Sequence, residues 1–97
     1  MAMRPIADPP RPVQVVAPDV GLRMTRGEHV TVVSGDLRIV MWPSNGRWEA
    51  ALCRGDAPIA WMHSPRLIPS CSEDGGLDIR AEEGWVLSLP AGAEVQE

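Results

Sequence analysis

The chain has 97 residues, 44% of them hydrophobic and 23% charged, and a formal net charge of −4. That length fits one domain with a modest core. The composition excludes wholesale disorder, and no apolar run approaches the roughly 20 residues of a membrane helix. The charge is uneven, with four Arg against two Asp in residues 1–27 and seven acids against Arg80 alone in residues 70–97. An acidic chain without a basic stripe binds phosphate backbones poorly, so neither nucleic acid nor a membrane is an expected partner.

Taken in chain order, Met1–Pro12 contains no apolar stretch of the kind a secretory signal carries, which points to the cytoplasm. Residues 1–18 hold Pro5, Pro9, Pro10, Pro12 and Pro18. Proline removes the amide donor and disfavours helix in the residue before it. The reading is an extended or disordered proline-rich arm, with Val13–Val16 as an added edge strand, followed by one β domain over residues 19–97. All nine cations are Arg, and Lys, Phe and Tyr are absent. These absences match the codon bias of a GC-rich bacterial genome.

Beyond the arm the apolar period is two. Residues 29–33 are rich in β-branched side chains, and Ser34-Gly35-Asp36 forms a turn. Leu37, Ile39 and Met41 then share a face. Pro43-Ser44-Asn45-Gly46 is a reverse turn, because Asn and Gly tolerate positive φ. Residues 47–53 alternate with Trp48, Ala50 and Leu52 on one side, and Arg54-Gly55-Asp56 turns again. Residues 59–63, 77–81 and 85–89 read as further strands, with Val95 beyond the last turn. Six to eight short strands with frequent turns and no convincing helix predict an all-β fold, a small antiparallel barrel or sandwich.

Two of these elements resemble a cupin. Glu28, six residues and Gly35 have the spacing that ends the first cupin motif, and Leu52-Cys53-Arg54-Gly55-Asp56 matches the opening of the second. The resemblance implies a cupin-like barrel without metal. Leu22 and Met24 stand where the family carries its His-x-His, and Trp61, His63 and Arg66 stand at the later motif positions. In this reading the chain is similar to the metal-free, small cupin-like proteins of bacteria. A second resemblance is to bacterial SH3-like domains. Ala60-Trp61-Met62-His63-Ser64-Pro65-Arg66-Leu67 is similar to their closing strand, and residues 77–95 would be an extra C-terminal hairpin.

No pair among His29, His63, Cys53 and Cys71 has metal-ligand spacing, so neither a metal nor any other cofactor is expected. A Cys53–His63 dyad would need the two on neighbouring strands within reach. Arg54-Gly55-Asp56 spells an adhesion tripeptide but reads as an inter-strand turn. Two free thiols are the expectation for Cys53 and Cys71, with a single bridge between them as the alternative. Trp48, Trp61 and Trp85 are expected inside as the bulkiest core pieces available, with Trp42 at the surface as the partner-binding candidate. If the turn between Trp42 and Trp48 is three residues long, the two share a face. The reading is a non-catalytic binding module for a protein or small ligand, monomeric or homodimeric. Glu28, His63 and Arg66 are the ligand-binding candidates if a barrel mouth serves an enzyme or a sugar-binding domain instead. An SH3-like interaction module is the remaining alternative.

Overall fold

The computed structural model describes residues 13–97. One helix, α1 (Val13–Thr25), precedes eight strands: β1 (Val30–Ser34), β2 (Leu37–Ser44), β3 (Arg47–Arg54), β4 (Ala57–Ser64), β5 (Leu67–Cys71), β6 (Leu77–Ala81), β7 (Val86–Leu89) and β8 (Glu94–Gln96). They form two antiparallel sheets, ordered β4-β3-β2-β1-β8 and β5-β6-β7. The all-β class holds, in the form of two packed sheets with one short helix.

The helix corrects two expectations, that no segment is helical and that Val13–Val16 adds an edge strand. Residues 1–12 of the proline-rich arm lie outside the described residues. Val16, Ala17, Val20 and Met24 are buried together, and their spacing is that of one helical face. Asp19 and Arg23 form an i, i+4 ion pair at 3.1 Å. Pro18 lies inside the helix, on its exposed side. The helix ends in a Schellman motif: the Gly27 amide donates to the Met24 carbonyl at 2.9 Å, the Glu28 amide donates to the Arg23 carbonyl at 3.1 Å, and Gly27 adopts φ 73°.

In the five-stranded sheet, Val30, Val32, Ile39, Met41, Ala50 and Met62 point inward. Leu67, Leu77, Ile79, Ala81, Leu87 and Leu89 meet them from the other sheet, and the buried stripe of α1 completes the core. α1 packs on β5 and β8, an edge strand of each sheet. The Asn45-Gly46 loop is two residues long, both at positive φ, with Ser44 opposite Arg47. Trp42 therefore pairs with Glu49 on the outer face while Trp48 turns inward, so the two do not share a face.

β5 is a strand that alternation does not announce. It contains Pro69, which a strand tolerates at a sheet edge, where no ladder donor is missed. Between β3 and β4 the register shifts at Leu52/Cys53: Leu52 faces Ala60 and Cys53 faces Pro58, which leaves Ile59 as the extra residue of a bulge.

Candidate functional site

β4 is an edge strand whose side chains alternate: Ala60, Met62 and Ser64 face the core side, while Trp61 and His63 face out beside Ala51 and Glu49 of β3. The Trp61 and His63 rings lie 5.2 Å apart between centroids, tilted by 41°. On the other sheet, a tight turn joins β6 to β7. The Gly84 amide donates to the Ala81 carbonyl at 3.0 Å, the Ala81 amide to the Trp85 carbonyl at 2.7 Å, and Gly84 sits at φ 104°. A residue with a Cβ is strained at that angle. This turn presents Trp85 to solvent just before β7 begins.

The two elements are tied by Ser64. Its side chain is fully buried, and its Oγ accepts from the Glu82 amide at 2.9 Å and the Arg66 amide at 3.4 Å. An Arg66–Glu82 ion pair at 4.0 Å lies outside it. The β6–β7 turn is thereby fixed against the end of β4.

Between these walls runs an open groove of about 560 Å³, lined by Ala60, Trp61, Met62, His63, Glu83 and Trp85 with the start of β7. Trp61 is 58% exposed and Trp85 72%. Both were expected in the core, and the structure corrects this. Trp85 lies on the same parity as the buried Leu87 and Leu89, but β7 starts at Val86, so alternation does not extend to it. Trp61 lies on the parity of His63, opposite to the inward Met62. Trp48 packs against the core, half-buried. A smaller depression of about 200 Å³ adjoins across the Trp61–His63 ridge, lined by Ser44, Asn45, Arg47 and Glu49.

The three candidate ligand-binding residues do not share a cavity. His63 lines the groove. Glu28 is exposed between α1 and β1, 3.9 Å from Arg26, and Arg66 is exposed in the β4–β5 connection. Nor do Leu22 and Met24 fill a mouth, since both lie on α1, one exposed and one buried. Trp42 is half-buried on the outer face of β2 and lines neither depression.

The Cys53–His63 dyad does not form. Glu49 is the residue opposite His63, and Cys53 is four residues further along β3, about 13 Å at strand rise. Both cysteines are free. Among the described residues, no three His, Cys, Asp or Glu side chains are grouped to hold a metal, and no helix is long and apolar enough to cross a membrane.

The groove thus combines two accessible indoles, an imidazole and one carboxylate beside an unpaired sheet edge. Indole faces pack against apolar and cationic groups, and the ring edge supplies one N–H donor. Glu83 is a groove residue that the sequence reading did not single out, and Trp85 is one that it assigned to the core. Their signal was the pair of acids followed by Gly84, which marks a turn and so a surface position. No family model, curated protein or solved structure gives a significant match to this chain.

Proposed function

We propose that this is a small, non-catalytic binding module of the bacterial cytoplasm, and that the groove between β4 and the β6–β7 turn receives an extended peptide segment of a protein partner. One observation carries the reading: Trp61 and Trp85 are largely exposed on the two walls of a single groove that runs beside the free edge of β4. Large aromatics left in solvent in one concave place are unusual for a chain with only four aromatic residues to fill its core. Trp is also the side chain most enriched among residues that dominate binding energy.

At the level of fold, the proposal keeps both likenesses. Two packed antiparallel sheets are compatible with a cupin-like domain. An SH3-like outline would set residues 77–95 apart as a hairpin; here β6 and β7 share a sheet with β5, and β8 pairs with β1.

The test is selection from a peptide library, followed by tryptophan-fluorescence titration of the selected peptides. Trp61→Ala and Trp85→Ala are each expected to weaken binding about tenfold or more, about 1.4 kcal/mol or above. Thermal unfolding should stay nearly unchanged, because both rings are mostly in solvent. If the library yields no peptide, or binding survives both substitutions, the reading is wrong. Saturable binding of oligosaccharides in place of peptides would favour a sugar-binding domain instead.

A further inference from the structure

Resting on the reading of the groove as a site for an extended segment, we infer that the segment is β4 of a second copy, joined antiparallel so that two chains share one continuous sheet. The groove is lined by Ala60, Trp61, Met62 and His63 in succession. Residues of both parities line it, so it follows the backbone edge of β4 and not one face of the strand. Among the described residues no strand pairs with that edge. An edge strand carries a row of unpaired amides and carbonyls, and such an edge takes up a further strand.

Apolar exposure is concentrated on the same side. Among the described residues six large apolar side chains are exposed, and four of them, Ile59, Trp61, Trp85 and Val86, lie on β4 or at the start of β7. The exposed parts of Trp61 and Trp85 alone amount to about 300 Å², against the roughly 800 Å² that each partner gives to a standard protein interface. Every copy carries this surface, so a two-fold arrangement buries it twice.

The strand is complementary to itself. Monomeric proteins guard their sheet edges with charged side chains. Ala57–Ser64 holds no Asp, Glu, Lys or Arg. Two β4 strands therefore meet without like charges opposed, although the chain is −4 overall. Pro58 and the bulge at Ile59 close the early part of the edge, and β4 ends at Ser64, which leaves Ala60–Ser64 open. That stretch is centred on Met62. Paired antiparallel with itself, it puts Met62 on the two-fold axis, Ala60 opposite Ser64 of the second copy, and Trp61 opposite its His63. Inward residues then face inward residues, and Pro58 stays beyond the paired stretch in both copies. On the outer face, opposed side chains lie about 5 Å apart at Cβ. The Trp61 and His63 rings, 5.2 Å apart within one chain, thereby meet their symmetry mates as four neighbouring rings. On the inner side, Trp85 on the facing wall of the groove covers the incoming strand.

The experiment is sedimentation equilibrium of the full chain from about 10 μM to about 1 mM. The weight-average mass is expected to rise from 10.5 kDa toward twice that value. Isotope-filtered NMR of a mixture of labelled and unlabelled chains should show contacts between chains from Met62 to Met62 and from Trp61 to His63. Trp61→Lys adds a charge to the edge and removes an anchor, so it should weaken association about tenfold or more. Thermal unfolding of the dilute variant should stay nearly unchanged, because that ring is mostly in solvent. Leu22→Lys, at an exposed apolar position of α1, should leave association as it is. A constant mass up to about 1 mM, association that Trp61→Lys does not weaken, or contacts between chains that avoid β4 would overturn the inference. If the mass stays constant while library-selected peptides move the Trp61 and Trp85 indole signals, the groove remains a peptide site and only its occupant is different. If neither is seen, both readings fall together.

Discussion

Ser64 is a single hydroxyl on which the geometry of the groove depends. It accepts two backbone amides from the β4–β5 connection and the β6–β7 turn while fully buried. Ser64→Ala would strand the Glu82 amide in a partly buried place, at a cost of about 1–3 kcal/mol measurable by urea unfolding. It should also loosen the turn and weaken peptide binding. Asp74 offers a pH-dependent test. The Ser72 hydroxyl, and next the Gly76 amide at 3.1 Å, hold its carboxyl below the ordinary 3.8. A carboxyl lowered in the folded state stabilises the fold above its unfolded pKa and loses that contribution as pH falls through the folded one. The Gly76 amide resonance should therefore be steady above about pH 5 and titrate with a midpoint below 3.8. Asp74→Asn should remove that movement. At this scale the sequence was least transparent for the indoles. Bulk argues for burial, but Trp61 and Trp85 are placed by strand parity and by where β7 begins.

At the scale of elements, alternation disclosed β2 and β6, because inward Leu37, Ile39 and Met41 or Leu77, Ile79 and Ala81 repeat with period two, and a β-branched run disclosed β1, whereas β5 and the three-residue β8 were not read as strands. Pro69 hid β5, since its tolerance depends on an edge position known only once the sheet exists. The helix was hidden in a similar way. Five prolines before residue 19 argue against it, and its apolar stripe stabilises it only when there is a sandwich to cover. The remaining signal lay at the other end, in Gly27. Nothing lies within 4 Å of where a Cβ would stand there, so Gly27→Ala tests conformation alone. The substitution should cost about 1 kcal/mol through the positive φ, read as a lower midpoint in urea with an unchanged slope.

For the whole molecule, both sheets and α1 share one continuous core. No layer holds its apolar face without the others, so unfolding should be a single transition, coincident by far-ultraviolet circular dichroism and by tryptophan fluorescence. Separate midpoints would show that α1 detaches first.

The placement of α1 has a further consequence for self-templating. A sheet edge with free amides and carbonyls recruits another strand, and a molecule with two such edges on one sheet can extend into a fibre. Here α1 packs against β8, the outer strand at one end of the five-stranded sheet, and crowds that edge. At β4, the bulge and Pro58 interrupt the early part of the edge and leave the stretch around Trp61 open. Strand-to-strand joining through that sheet therefore ends after two molecules meet β4 to β4. As long as α1 stays docked, the same helix that completes the core also terminates the growth of a fibril.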